Sequence, residues 1–191
     1  PFDQSKGFPG AYYPGNITPA GVGDWTDGEL FRAITHGVTK DGDAMFVMMP
    51  YNNYRYLSRD DIFAVIAYMR SLDPVKHQLP ESESDFPMNF IVNLMPEEPQ
   101  LSEIPPKSDK VAYGKYVATA ASCNHCHTPI DKGKPVEGME FAGGLEFKMP
   151  TGGTARSANI TPDKKTGIGN WTEEMFVQRF KNYKDSIYKQ Q

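Results

Sequence analysis

One short pattern occurs twice in this sequence, and the repeat constrains the fold more than any other feature does. The tetrapeptide Asn-Ile-Thr-Pro occupies residues 16–19 and again residues 159–162. A Gly-Asp/Asn-Trp-Thr pattern follows each copy, so the two tryptophans of the protein, Trp25 and Trp171, fall at matched positions. After each Trp-Thr pair comes an amphipathic segment with helical spacing. We therefore predict two related folding units, each of them incomplete in this chain.

A proline-rich, acidic stretch separates the two copies. Residues 73–107 contain seven prolines and more acidic than basic side chains. Proline at this density opposes both helix formation and strand pairing, so the stretch is predicted to be an extended linker that drapes over the domains. The expected organisation is residues 1–72 as the later part of a first domain, residues 73–107 as the linker, and residues 108–191 as a second domain.

Start and stop signals for two helices are clear in the first unit. Thr26 and Glu29 form a capping box ahead of an apolar stripe, and Gly37 supplies a natural stop. Ser58 and Asp61 form a weaker box with Asp in place of Glu. These signals predict one helix from residue 27 and another from residue 59.

The apolar spacing supports the same class of fold. After Ser58, the residues Ile62, Val65, Ile66 and Met69 follow the period of a helix and should share one buried face. Ser108 is predicted to cap a third helix. No stretch shows sustained alternation with a period of two, so the expected class is all-α, with long loops rich in Gly and Pro.

The composition excludes several kinds of protein. Apolar residues make up 39% and aromatic residues 12%, which is too much for a disordered chain. The net charge is −4 and no basic cluster is dense, so nucleic-acid binding has no electrostatic support. The longest uninterrupted apolar run, residues 62–69, is far shorter than the roughly 20 residues of a membrane span.

The motif with the most specific chemistry is Cys-Asn-His-Cys-His. It contains the only two cysteines of the chain, Cys123 and Cys126, followed directly by His127. Two thiols at this spacing add to the two vinyl groups of one porphyrin edge, and the next residue presents its imidazole to the iron. We therefore predict covalent attachment of haem c at Cys123 and Cys126, with His127 as an axial ligand. His125, between the cysteines, is interpreted as a bystander.

Other interpretations of these residues have less support. A structural zinc site needs four ligands, and His125 and His127 could join the thiols only with poor geometry within five residues. A thioredoxin-like Cys-x-x-Cys requires a βαβ setting that the sequence does not show. A disulfide between the two cysteines would leave His127 unexplained.

A methionine is a common second ligand of such an iron, and it raises the reduction potential. The first unit offers Met45, Met48 and Met49 in the loop between its two helices. Met49 precedes Pro50, which biases the backbone of Met49 toward an extended conformation and stiffens the loop. From the residues alone, two interpretations stay open, because all three methionines could simply fill the core.

At these residues the chain resembles a two-haem member of the class I cytochrome c family. The second unit carries the segments GKYVATAASCNHCH, GGLEF, ANITPD and GIGNWTEEMF, and the first carries GNITP, GDWTDGELFRAITHGV, DGDAMFVMMPY and LSRDDIFAVIAYMRSL. The resemblance covers all but the linker. It implies two class I cytochrome c-like domains, and it implies Met49 as the distal ligand because the distal methionine of the family directly precedes a proline.

The chain departs from the family pattern in an informative way. The first unit has a distal-Met loop but no Cys-x-x-Cys-His, and the second unit has the attachment motif but no distal loop. We therefore expect this chain to be a segment of a longer diheme protein whose first haem is attached upstream of residue 1. The alternative is one permuted domain with Met49 opposite His127, and the duplicated Asn-Ile-Thr-Pro and Trp elements argue against it.

Further site residues follow from the resemblance. Trp25 and Trp171 either donate their indole N–H groups to a haem propionate or pack beside the porphyrin, and both interpretations stay open. Arg156 is a candidate partner for a propionate. The remaining candidates are glycines that would allow tight turns beside the porphyrin, namely Gly143, Gly144, Gly152 and Gly153.

The function that the resemblance implies is electron transfer rather than catalysis. Covalent haem would carry single electrons between a donor, such as a dehydrogenase or respiratory complex, and an acceptor, such as an oxidase or another cytochrome. Membrane complexes are among the implied partners, and the implied location is the periplasm or the extracytoplasmic face of the membrane. The alternatives are a diheme peroxidase-like enzyme and a haem-based ligand-binding module, both of which need an open iron coordination position.

Overall fold

The computed structural model describes residues 2–131, 133–149 and 152–184, and within residues 183–184 only the backbone. Its contacts divide the chain into unit 1, Pro1–Ser122, and unit 2, Cys123–Gln191.

The described elements of unit 1 are mainly helical. Its helices are α1 (Pro19–Val22), α2 (Asp27–His36), α3 (Tyr51–Tyr54), α4 (Arg59–Arg70), α5 (Met88–Ile91) and α6 (Lys110–Ala120), with 3-10 turns at Gln4–Lys6 and Val92–Leu94. Strands β1 (Gly10–Ala11) and β2 (Glu83–Ser84) pair antiparallel.

The described part of unit 2 combines two helices with two short antiparallel strand pairs. Its helices are α7 (Cys123–His127) and α8 (Glu173–Lys184), and its strands are β3 (Ile130–Asp131), β4 (Lys134–Pro135), β5 (Glu146–Lys148) and β6 (Thr154–Arg156). β3 pairs with β4 and β5 with β6, both antiparallel. The predicted mostly helical class is confirmed, with short two-stranded ladders in addition. That the units are class I cytochrome domains stays a prediction.

Helices α2 and α4 form the core of unit 1. The buried cluster consists of Leu30, Ile34, Leu57, Ile62, Ile66 and Met69. Burying an aliphatic side chain of this size contributes about 1.5–3 kcal/mol, so the cluster is a main source of stability. Three of the four residues predicted to form the buried face of α4 are buried, namely Ile62, Ile66 and Met69. The prediction is wrong for Val65, which is 48% exposed on the outer side of the helix.

The predicted signals at α2 and α4 are confirmed. The Thr26 hydroxyl accepts from the Glu29 amide, and the Glu29 carboxylate accepts from the Thr26 amide, which completes a capping box. Gly37 ends α2 in the left-handed conformation, with φ of 74°. The Ser58 hydroxyl accepts from the Asp61 amide at 3.1 Å at the start of α4.

The third helix begins differently from the prediction. Asp109 rather than Ser108 is the N-cap of α6, because its carboxylate accepts from the Ala112 amide at 3.0 Å. Tyr116 of this helix packs against the core of unit 1, and its hydroxyl accepts from the Ser58 amide at 2.9 Å. The contacts therefore group α6 with unit 1. The sequence-based boundary at residue 108 stays a prediction.

Residues 73–107 belong to unit 1 and are hydrogen-bonded to its earlier residues. The hydroxyl of Thr18 accepts from the amide of Val75, and the amide of Gln100 donates to the carbonyl of Arg55 at 2.9 Å. Val92 is buried at 8% exposure, whereas Phe86 is 81% exposed. The segment is thus held mainly by hydrogen bonds rather than by burial of its aromatic side chains.

In the part of the chain that the structure describes, no helix combines the length and apolar character needed to cross a bilayer.

Candidate haem site

The helical turn α7 gathers the three residues of the attachment motif. Cys123 and Cys126 are three positions apart, and His127 lies four positions after Cys123, so all three occupy one side of the turn. Both thiols are free, with Cys123 partly buried and Cys126 exposed. The described structure therefore does not pair them in a disulfide, and both remain available for thioether bonds.

The His127 ring has one nitrogen fixed by the backbone. Its Nδ1 lies 2.7 Å from the carbonyl oxygen of Ala158. Because a carbonyl oxygen only accepts hydrogen bonds, Nδ1 must carry the proton, and the neutral ring then has its lone pair on Nε2. This is the tautomer that binds a metal through Nε2, and the hydrogen bond also restricts rotation of the ring.

A second hydrogen bond ties the backbone of His127 to the same region. The amide of Gly143 donates to the carbonyl of His127 at 2.7 Å, and the amide of Gly144 donates to the carbonyl of Ser157 at 2.9 Å. Residues 143–145 and 157–158 thus run side by side at the base of the β5–β6 hairpin. The hairpin positions both the donor to the His127 backbone and the acceptor for its ring.

Thr128, the residue directly after the motif, connects it to a further chain segment by a hydrogen bond. Thr128 is 4% exposed, and its hydroxyl accepts from the amide of Phe141 at 3.2 Å. The carbonyl of Phe141 in turn accepts from the amide of Ile160 at 2.9 Å. Three separate chain segments are therefore linked by hydrogen bonds around the motif.

The repeated Asn-Ile-Thr-Pro pattern has a structural explanation. The side-chain oxygen of Asn159 accepts from the amide and the hydroxyl of Thr161, at 2.8 and 2.7 Å. In the first copy, Asn16 accepts from the amide and the hydroxyl of Thr18, at 3.0 and 2.8 Å. Both copies form the same Asx turn. In unit 2 this turn begins at Asn159 and so restrains the chain directly after the peptide whose carbonyl contacts His127.

These residues fit a covalently held haem. Two unbonded thiols and an imidazole with its metal-binding nitrogen free stand on one helical turn, and the backbone supports that imidazole from behind. The zinc alternative gains no support, because the described residues contain no group of three or more His, Cys, Asp or Glu arranged for a metal ion.

The structure places Met49 and Trp25 together in unit 1. Met49 lies in the loop before α3, and both side chains are partly buried and pack against the core cluster of that unit. Packing is thus observed for both residues, and their predicted contacts with haem stay predictions.

The two predicted propionate contacts of unit 2 lie on exposed positions. Trp171 is 40% exposed, and the guanidinium of Arg156 pairs with the Glu146 carboxylate across the β5–β6 ladder at 2.6 and 2.7 Å. A propionate would have to compete with Glu146 for Arg156. The roles of both residues stay predictions.

Sequence reasoning missed two features of the site. The acceptor for His127 is the carbonyl of Ala158, and a backbone atom leaves no signal in the residue type. Its position just before the repeated Asn-Ile-Thr-Pro was the available clue. Sequence reasoning also overlooked Met149, which precedes a proline as Met49 does and is 47% exposed.

Comparison with known proteins finds relatives that include cytochrome subunits of dehydrogenases and a diheme cytochrome c. No family model matches the sequence. The cytochrome c subunit of a quinone-dependent alcohol dehydrogenase from Gluconobacter oxydans is 31% identical over 193 residues, covering 91% of this chain and 39% of the relative. The gluconate 2-dehydrogenase cytochrome c subunit of Pantoea cypripedii is 28% identical and covers 86% of this chain and 41% of the relative. A diheme cytochrome c-type protein of Cereibacter sphaeroides is 25% identical over 168 residues, covering 81% of this chain and 54% of the relative.

The chain spans only about two fifths of the length of the dehydrogenase subunits that it matches, 39% and 41% in the two cases given. The similarity nevertheless extends over most of this chain in each comparison, and every relative named above is a cytochrome. Together with the Cys-x-x-Cys-His motif, these relatives support a cytochrome c family for this chain.

Proposed function

We propose that this chain passes single electrons through covalently bound haem c as part of a dehydrogenase-linked electron-transfer system. The observation that carries the proposal is the 2.7 Å contact between His127 Nδ1 and the Ala158 carbonyl oxygen, on the same helical turn as two free thiols. A carbonyl oxygen can only accept, so this contact leaves Nε2 as the metal-binding nitrogen. The names of the relatives support the same function, since they are cytochrome subunits of dehydrogenases.

Each residue of the motif has a distinct proposed role. Cys123 and Cys126 form the thioether bonds, and His127 provides the axial nitrogen. When bound, haem c supplies a one-electron couple that the protein cannot lose by dissociation. The hydrogen bond from Nδ1 to Ala158 makes the imidazole a stronger donor, which favours ferric iron and lowers the reduction potential.

Met49 is proposed as the sulfur ligand of a second haem, held by the first unit. The support is its place directly before Pro50 in a loop that packs against the core of that unit. Such a ligand closes the iron to other molecules and suits an electron carrier better than a peroxidase. The attachment residues of this haem are proposed to lie upstream of residue 1, and Trp25, Trp171 and Arg156 are proposed to surround the haem edges.

The proposed partners are redox proteins. The donor would be a dehydrogenase of the kind named for the relatives, which act with alcohol and gluconate, and the acceptor would be an oxidase or another cytochrome. The proposed location is the extracytoplasmic side of the membrane, because c-type haem is attached there. The chain itself would then transfer electrons without transforming a substrate.

The test is to produce the full chain in a bacterial host that attaches c-type haem and to measure intact mass and absorption spectrum. The wild type is expected to gain the mass of one haem for its one attachment motif. The double change Cys123→Ala and Cys126→Ala should lose that mass completely. His127→Ala should keep the covalent haem but change its absorption spectrum, because the iron would lose its nitrogen ligand.

His125→Ala is the matched control, because this exposed histidine stands on the same helical turn. It should retain both the haem mass and the wild-type absorption spectrum. A colourless wild type with the mass of the bare polypeptide would contradict the proposed function.

A further inference from the structure

We propose that Gly143 is a positioning residue for His127, a role that rests on the haem function proposed above. The contact between Gly143 and the Ala158–Asn159 peptide keeps the Ala158 carbonyl within hydrogen-bond distance of the ring. In this way a residue that touches neither the thiols nor the ring sets the donor strength of the axial imidazole.

Gly143 is joined to His127 by the backbone. Its amide donates to the His127 carbonyl at 2.7 Å, so the glycine is fixed against the attachment turn. Its φ of +75° lies in the left-handed region, where a side chain is strained. The hydrogen bond and the backbone conformation together determine which way the α-carbon faces.

The α-carbon of Gly143 faces the peptide that orients the ring. A Cβ at this position would lie 2.5 Å from the carbonyl carbon and 2.6 Å from the carbonyl oxygen of Ala158, and 2.6 Å from the nitrogen of Asn159. Contacts this short do not occur in stable structures, and a backbone peptide cannot rotate away as a flexible side chain can. Any side chain at position 143 must therefore displace the Ala158–Asn159 peptide or the glycine itself.

Such a displacement acts directly on the His127 ring. The Ala158 oxygen accepts from Nδ1 at 2.7 Å, so a shift of a few tenths of an ångström changes the hydrogen bond appreciably. A weaker bond makes the imidazole a weaker donor, ferric iron loses stabilisation, and the reduction potential rises.

The neighbouring glycine provides a matched control. Gly144 also has a positive φ, +89°, but a Cβ there would meet no described atom within 4 Å. Gly144→Ala therefore introduces the same kind of backbone strain without contact with the Ala158–Asn159 peptide. A difference between the two alanine variants isolates the steric contact from the general effect of replacing a glycine.

The experiment compares haem-loaded full-length wild type, Gly143→Ala and Gly144→Ala by spectroelectrochemical titration and by electron paramagnetic resonance of the ferric form. Gly143→Ala should raise the midpoint potential and shift the g values, whereas Gly144→Ala, without the contact with Ala158, should change both much less. Equal potentials and g values in the two variants would overturn the inference.

A second pair of variants covers the case in which Gly143→Ala does not retain haem. Asn159→Ala removes the Asx turn that restrains the chain directly after this peptide and adds no bulk, so it should raise the potential as well. Asn16→Ala removes the equivalent turn in unit 1 and should leave the potential unchanged. If Asn159→Ala also leaves it unchanged, the positioning role is refuted. Absence of haem in the wild type would instead refute the proposed function, so the two failures are distinguishable.

Discussion

Tyr51 combines deep burial with an unsatisfied hydroxyl. Its side chain is among the largest fully buried ones, at 1% exposure, and its ring lies against Gly37, where an added Cβ would come within 2.4 Å of it. Among the described residues its hydroxyl has no hydrogen-bond partner. Burial, with a smaller contribution from the negative charge of Glu97, raises the pKa of Tyr51 to about 12.

This raised pKa predicts a loss of stability at alkaline pH. The unfolded chain releases the Tyr51 proton near pH 10, whereas the folded protein holds it until about pH 12. The free energy of unfolding should therefore fall between these values, by about 2–3 kcal/mol for this residue, and be unaffected by it below pH 10. Tyr51→Phe should remove this part of the alkaline decline without lowering stability at pH 8.

The measurement is urea unfolding at pH 8 and across pH 10 to 12. Tyr68→Phe, at a residue that is 66% exposed, is the control and should keep the wild-type pH dependence. An alkaline decline in Tyr51→Phe as steep as in the wild type would contradict the assignment.

At the residue scale, the sequence reveals chemistry carried by side chains and hides chemistry carried by the backbone. Cys123, Cys126 and His127 could be predicted as a set, because their reactive atoms belong to the residue types themselves. The Ala158 carbonyl could not, since every residue has one and only the fold brings this one to His127. Gly143 was recognised as a turn residue, but its contact with a particular peptide requires three-dimensional information.

At the scale of single elements, the start of α2 depends on one reciprocal pair. The Thr26 hydroxyl accepts from the Glu29 amide at 3.2 Å, and the Glu29 carboxylate accepts from the Thr26 amide at 2.7 Å. Because α2 supplies Leu30 and Ile34 to the core cluster, fraying of its first turn would loosen the core as well.

Thr26→Ala should lower the free energy of unfolding by about 1 kcal/mol, because the Glu29 amide loses its acceptor. Thr26→Ser keeps the hydroxyl and should stay close to the wild type. Urea unfolding followed by circular dichroism measures both. A Thr26→Ser variant as unstable as Thr26→Ala would show that the methyl group rather than the cap matters.

Helix starts were predicted well because capping is local in sequence. The Thr26 and Ser58 caps needed only residues within one turn. The predicted cap at Ser108 was wrong because the adjacent Asp109 is the N-cap of α6 and its carboxylate makes the capping hydrogen bond. The predicted burial of Val65 was wrong because helical periodicity does not reveal how wide the neighbouring core is. The core covers the side of α4 that carries Ile62 and Ile66 and leaves Val65 exposed.

At the scale of the whole molecule, a buried arginine attaches residues 73–107 to the earlier part of unit 1. The side chain of Arg55 is 5% exposed, and its guanidinium binds the carboxylate of Glu97 and the carbonyl of Glu98. Glu98 also lies 3.3 Å from the His36 ring. Since the segment buries little apolar surface, these polar contacts should contribute much of its attachment.

Glu97→Gln should weaken this attachment, because the buried guanidinium loses its charged partner. Glu97 itself is 66% exposed, so we expect a modest loss of about 1–2 kcal/mol in the free energy of unfolding. Faster proteolytic cleavage around residues 95–102 should accompany it. The control is Glu103→Gln, at an exposed position of the same segment. Equal effects of the two substitutions would show that only the net charge matters.

At this scale the repeat predicts two related units without any structure, and the domain bounds drawn from it stay a prediction. The docking of residues 73–107 was not, because Arg55 looks like an ordinary surface arginine in the sequence. The packing of Tyr116 on unit 1 was equally hidden, since its partners Ser58 and Asp61 are far away along the chain.

The support of His127 by a main-chain oxygen has a consequence for how this protein can vary. The Ala158 side chain is exposed, and every amino acid would supply the same carbonyl at that position. Evolution and protein engineers can therefore exchange the outward-facing side chain beside the proposed haem site, for instance to tether the molecule to an electrode, while the backbone hydrogen bond to His127 is left undisturbed.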